Sequence, residues 1–254
     1  MARMPVVFLG HGSPMNAMEH NEFTKSWEEL GKTLPRPKAI VAVSAHWFTR
    51  GLFVTDAERP KQVYDMYGFP PELYRVTYPA AGAPELARRT AGLAGAQVDN
   101  SWGLDHGAWA VLCRMFPKAD IPVFQLSVDA QASPERQVET GRRLAPLRGE
   151  GVLVLCSGNV VHNLGAVDWN MPGGYPWADE FDAYIRAAVQ SGDRDAVVRY
   201  QNAGSSARMA VPRPDHFYPL LCALGAADSS DAVSVFCDAR VLGGLSMTCY
   251  RFGA

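Results

Sequence analysis

Three short, unbroken apolar runs organise the chain: Val6-Val7-Phe8-Leu9, Ile40-Val41-Ala42-Val43 and Val152-Leu153-Val154-Leu155. Runs this short, without polar alternation, predict strands buried on both faces, as in a parallel sheet. Between them the apolar spacing changes to that of helices. Phe23, Trp27 and Leu30 recur at i, i+4 and i+7 and predict a helix over 21–33, stopped by Pro35 and Pro37. A short strand is expected over 52–55. Pro84 opens a helix to 93, and Trp109, Leu112, Cys113 and Phe116 mark the apolar face of another just after His106. Strand 121–128 is followed by a Ser133-Pro134 cap and a helix to about 147. Phe181, Ile185 and Ala188 predict a helix over 178–190 with Gly192 as its stop, and Asp193 caps a shorter one to 200. The remainder reads as a polar loop over 202–214, a short apolar helix over 219–224, and strands over 233–236 and 245–252. With no repeat and no linker, this alternation predicts one α/β domain over 1–254, with a mostly parallel central sheet flanked by helices.

Residues 61–83 break the pattern. Tyr64, Tyr67, Phe69, Tyr74 and Tyr78 are interleaved with Pro70, Pro71 and Pro79 without a period. A long loop with short turns is expected. It reads equally as a flap that packs its rings on the core or as a wall of a substrate pocket.

Composition narrows the function classes. Hydrophobic residues make up 48% and charged residues 20% of 254, an ordinary globular balance, and the formal net charge is −2. Without a basic block, neither nucleic acid nor a membrane surface is an expected partner. No run approaches a membrane span, and 6–9 is too short for the apolar core of a secretory leader. The five cysteines lie in apolar stretches without a C-x-x-C. Reduced thiols and a cytoplasmic location are therefore expected.

The candidate chemistry lies in five of the six histidines. His11, His46 and His162 follow the three apolar runs, where open α/β sheets place ligands at the carboxyl ends of their strands. His106 and His216 each follow an aspartate in a polar loop. Such placement can bring distant residues together at one metal, and imidazole suits zinc, iron, copper and nickel. His20 lacks this setting and is expected at the surface. The glycines beside His11 would admit a bound group close to the backbone. Asp105 and Asp215 are candidates to orient neighbouring histidines, or equally to cap and turn the chain. Neither a dinucleotide fingerprint after a strand nor a Walker loop is present. Gly10-His11-Gly12-Ser13-Pro14 is not a serine-hydrolase elbow, since its central residue is histidine.

Gly10-His11-Gly12-Ser13-Pro14, Ser44-Ala45-His46-Trp47, Asp105-His106-Gly107, Ser157-Gly158-Asn159-Val160-Val161-His162-Asn163-Leu164 and Pro214-Asp215-His216-Phe217 together resemble, in order, the motifs of the 4,5-DOPA extradiol dioxygenase family, a branch of the class III extradiol ring-cleavage dioxygenases. The likeness extends to Tyr175-Pro176-Trp177 and Leu245-Ser246-Met247. It implies cleavage of a catechol such as L-DOPA or a related catecholic acid, with insertion of O₂. It implies Fe(II) for activity, with Zn(II) a possible occupant of the same site. By motif match, His11, His46 and His216 would ligate the metal. His162 would be the acid/base residue, able to join the ligands when substrate is absent, and His106 a second catalytic histidine. A histidine at 216 departs from the 2-His-1-carboxylate pattern of non-haem iron oxygenases and suits zinc equally. On the residues alone, a zinc-dependent hydrolase and a non-catalytic metal-binding protein remain alternatives. Arg50, Arg75 and Arg213 are candidates for a substrate carboxylate.

Overall fold

A computed structural model describes residues 3–253; residues 1, 2 and 254 of the expected domain lie outside the described residues. The three apolar runs become β1 (Val6–Gly10), β2 (Ala39–Thr49) and β6 (Val152–Gly158), joined by β5 (Val123–Asp129). β2 pairs in parallel with β5 and β6, and β6 with β1. These four form the middle of an eight-stranded sheet. On one side it is completed by β3 (Phe53–Val54) and β4 (Gln97–Val98), and on the other by β10 (Cys249–Phe252) and β7 (Val233–Phe236). The parallel reading holds for the centre. Antiparallel pairs enter at its flanks, β3 against β5 and β10 against β1 and β7.

The continuous apolar runs are explained by helices on both faces. Val6 and Phe8, Val41 and Val43, and Val152, Val154 and Cys156 pack into one core. It is shared with α2 (Pro84–Ala94), α4 (Pro134–Gly149), α5 (Pro176–Ser191), α6 (Arg194–Val198), α7 (Ser205–Ala210) and α8 (Tyr218–Ala226). Their alternates Val7, Leu9, Ile40, Ala42, Leu153 and Leu155 pack into a second core with α1 (Glu22–Thr33) and α3 (His106–Met115). Successive side chains point to opposite faces, so a strand covered on both sides has no polar face to show.

Two expectations are corrected. Residues 202–214 hold the end of the 3₁₀ turn Tyr200–Ala203 and the helix α7 as well as loop. Six helical residues are too few to show a period, and α7 forms because Ser206, Ala207 and Ala210 are buried. The strand expected over 245–252 is split. β9 (Leu245–Ser246) pairs with β8 (Arg240–Val241), and β10 begins after Met247 and Thr248. The break follows the buried Asp182 carboxylate, which accepts hydrogen bonds from the Ser246 and Thr248 hydroxyls. The aromatic segment 61–83 is a loop with one 3₁₀ turn, Leu73–Arg75. Met66, Leu73 and Tyr78 are buried in the second core, with Tyr64, Phe69 and Tyr74 packed against it. Among the described residues no helix is long and apolar enough to cross a membrane.

Candidate metal centre

The carboxyl ends of β1, β2 and β6 lie side by side, and the histidines gather there. β1 ends at Gly10, opposite Gly158 of β6, and the His11 amide continues the ladder to the Gly158 carbonyl at 3.1 Å. His46 lies inside β2, in a stretch where pairing with β5 slips: β2 advances from Val43 to Phe48 while β5 advances only from Leu126 to Val128. Such a bulge re-aims side chains that regular pairing would send to alternate faces. His106 is the first residue of α3, whose N-cap is Asp105. His162 follows β6 and bridges to Leu245, with its amide donating to the Ala210 carbonyl at 2.9 Å. His216 precedes α8, and its carbonyl accepts the Asn159 amide at 2.9 Å.

All five imidazoles meet. Ring centroids are 5.0 Å apart for His11 and His46, 5.3 Å for His11 and His216, 4.9 Å for His46 and His216, and 3.9 Å for His46 and His106. His162 stacks on His216 at 3.4 Å with the planes 4° apart. One nitrogen each from His11, His46 and His216 lie within 4.8 Å of one another. His162 forms a separate group of the same tightness with Asp215 and His216. His20 is exposed, as expected, and so are Arg50 and Arg75. Arg213 lies over the Phe48 ring at 5.1 Å and 3.4 Å from the Asp215 carboxylate.

The hydrogen bonds determine which nitrogens carry protons. His11 Nδ1 is 3.0 Å from Ser157 Oγ, and that hydroxyl donates its own hydrogen to the Gly107 carbonyl at 2.5 Å. Ser157 therefore accepts from His11 Nδ1–H, leaving His11 Nε2 with a bare lone pair. His46 Nδ1 lies 3.0 Å from Asp65 Oδ2, which likewise leaves its Nε2 bare in the neutral ring. His216 is buried, and neither ring nitrogen makes a hydrogen bond. Asp215 Oδ1, 3.1 Å from His216 Nδ1, accepts instead from the His216 amide. Buried polar atoms are rarely left unpaired, so two facing lone pairs beside an orphaned imidazole fit a bound cation.

Electrostatics favour the neutral form at four of the five rings. Burial, reinforced by neighbouring imidazoles, holds His11 and His216 well below the ordinary histidine value. Burial also lowers His106, and it pushes His162 down to about 4. Burial opposes the charge on His46 too, but the Asp65 hydrogen bond and the nearby Asp105 and Asp215 carboxylates raise it overall. Neutral imidazoles are the form that binds metal.

Sequence reasoning missed two supports. Asp65 accepts from both His46 Nδ1 and His106 Nδ1 at 3.0 Å. Its one visible sign was a carboxylate set among the rings of 61–83. Ser157 precedes a glycine at the end of β6, which identified the strand end but not a hydroxyl aimed at His11. Asp105 does not hold a histidine ring: it caps α3 and accepts from Ser44 at 2.6 Å, Trp102 at 3.1 Å, and Gln125. The glycines beside His11 serve packing. A side chain at Gly10 would strike the Met247 backbone at 2.8 Å, and one at Gly12 (φ +57°) the Met247 sulfur at 2.5 Å.

Known proteins are similar to this chain along nearly its whole length. The family model described as the catalytic LigB subunit of aromatic ring-opening dioxygenase matches residues 4–253. A protein of Escherichia coli (strain K12) named 4,5-DOPA dioxygenase extradiol is 45% identical over 99% of this chain and 95% of its own. A Beta vulgaris protein of the same name is 37% identical over 96% of this chain and 95% of its own. The crystal structure of an uncharacterized protein from Escherichia coli K12 superposes with a TM-score of 0.87 at 43% identity, covering 99% of this chain and 100% of that one. With a match that runs almost end to end and a histidine cluster where the sheet opens, the chain belongs to the LigB family of aromatic ring-opening dioxygenases.

Proposed function

We propose that residues 1–254 form one catalytic domain that cleaves the ring of a catechol, L-DOPA or a related catecholic acid, by extradiol insertion of O₂. Fe(II) is the metal that supports turnover, and Zn(II) is an ion the same three imidazoles accept. The observation that carries this reading is the convergence of five buried or half-buried histidines, of which His11 and His46 turn their Nε2 atoms to each other at 3.1 Å and His216 has no hydrogen-bond partner. Names carried by relatives at 45% and 37% identity support the substrate class. Five free cysteines support a cytoplasmic location.

His11, His46 and His216 would hold the metal. When bound, it supplies a Lewis acid for the catechol oxygens and, as iron, the electron exchange that O₂ requires and zinc lacks. His162 provides proton transfer. Half-buried beside His216 and neutral at ordinary pH, it can take a phenolic proton from the substrate and return it as the ring opens. His106, held by Asp65 against His46, would act on the substrate oxygens as a second catalytic imidazole. In the overall reaction both atoms of O₂ enter the product and a ring carbon–carbon bond beside the hydroxyls breaks, with no external reductant.

The test is O₂ uptake by protein loaded anaerobically with Fe(II) or with Zn(II), against a panel of catechols. Uptake with iron and a new yellow ring-opened product is expected. Stoichiometric metal without uptake on any catechol would overturn the proposal and favour a hydrolase at the same site.

A further inference from the structure

Asp65 sits in the aromatic loop, distant in sequence from every histidine of the centre. The loop is tied down just before Asp65. Gln62 bridges to Leu104, the Val63 amide donates to the Leu104 carbonyl at 2.8 Å, and the Trp109 indole donates to the Val63 carbonyl at 2.9 Å. The Asp65 side chain is 11% exposed, and both its oxygens are used. Oδ2 accepts from His46 Nδ1 at 3.0 Å. Oδ1 accepts from His106 Nδ1 and from the His106 amide, both at 3.0 Å. One carboxylate thus holds two imidazoles whose ring centroids are 3.9 Å apart.

We propose that Asp65 is a shared positioning residue, fixing His46 as a metal ligand and His106 as an active-site imidazole in the same tautomer from a single carboxylate. The chemistry follows from the donor inventory. A neutral imidazole carries one N–H. With that hydrogen committed to Asp65 in both rings, both Nε2 lone pairs are free, one for the metal and one for a substrate hydroxyl or oxygen. A carboxylate behind a ligating imidazole also raises its donor strength, and removing such a group typically costs about 10–100-fold in metal affinity. Asparagine cannot replace it: its carbonyl oxygen can accept from one ring, but its amide presents hydrogens to the other. This assignment rests on the proposed metal site, but its test needs no catechol.

Metal-free wild type and the variants Asp65→Asn, Asp65→Ala and His106→Ala are titrated with Zn(II) against a chelator and with Co(II) by absorption. Asp65→Asn and Asp65→Ala are expected to lose about 10–100-fold in affinity and to change the Co(II) ligand-field bands. His106→Ala, which leaves the Asp65 bond to His46 intact, is expected to bind as wild type does. Wild-type affinity and spectrum in Asp65→Asn would overturn the proposal. Should the Asp65 variants not fold, ¹⁵N spectra of the metal-free wild type in alkaline buffer decide. Nδ1–H on both His46 and His106 supports the assignment, and Nε2–H on either overturns it. Inactivity on catechols alongside these results would fail the proposed function and leave the positioning role standing.

Discussion

The Nε2 atoms of His11 and His46 face each other at 3.1 Å while their Nδ1 atoms point to Ser157 and Asp65. Two neutral rings so held would set lone pair against lone pair. Without metal, one proton relieves this, and it belongs to His46, which is raised above the ordinary histidine value while His11 is well below it. Metal must displace that proton. Calorimetric titration with Zn(II) in buffers of different ionisation enthalpy should therefore show proton release near neutral pH, and affinity should fall as pH falls. Heat independent of the buffer would remove the shared proton from the picture.

His162 is grouped with Asp215 and His216 rather than with His11 and His46. The His162→Ala variant should keep most of its metal and lose roughly 10²–10⁴-fold in turnover, the range for removing a positioned proton-transfer group. Metal analysis beside kcat checks this. Loss of metal in step with activity would make His162 a ligand.

Acid should loosen the metal-free protein. His162 falls from an ordinary value of 6.5 to about 4 on folding, and His11, His106 and His216 are shifted the same way. Between those pH values the unfolded chain binds more protons than the folded one, so stability rises with pH there and is lost as pH drops from 6.5 towards 4. His46, shifted upward, works in the opposite sense but is one ring against four. Urea midpoints of metal-free protein should be lower at pH 5 than at pH 7, and bound Zn(II) should widen the difference. Equal midpoints would contradict the burial of these rings as neutral species.

Gly158 lets the end of β6 pass beneath the His216 backbone, since a Cβ there would lie 2.2 Å from the His216 carbonyl oxygen. Gly158→Ala should displace His216, weaken metal binding and cost about 1–3 kcal/mol of stability. Gly173→Ala, where no atom lies within 4 Å of the added carbon, is the control and should change neither. Chelator competition and thermal unfolding measure both effects.

Arg148 is 1% exposed and joins the segment before β1 to the end of α8 and the loop after it. It donates to the Met4 carbonyl at 2.6 Å, the Ala226 carbonyl at 3.0 Å and the Asp231 carboxylate at 2.7 Å. Arg148→Ala leaves a carboxylate and two carbonyls without this donor and should destabilise the fold by about 3–5 kcal/mol. Denaturant unfolding would show it, and a loss below about 1 kcal/mol would mean that water replaces the guanidinium.

The apolar runs at β1, β2 and β6 determined the core strands by themselves, because a strand buried on both faces must be apolar at every position. The same runs located His11 and His162 just beyond strand ends, whereas His46 lies inside β2, which runs on to Thr49, and the ordered motifs pointed to the family. Helix starts at Pro84, Pro134 and Asn21 were equally local, since capping uses neighbouring residues. Other features depended on what lies opposite in space. The register slip around His46 exists only against β5, and the division of β9 from β10 only against Asp182. Asp65 and Ser157 carry no local mark of their function. A carboxylate among tyrosines and a serine before a glycine become ligand supports only when the folded sheet brings His46, His106 and His11 within hydrogen-bonding distance. Such contacts, at about 3 Å, are set by tertiary packing, and sequence spacing does not encode them.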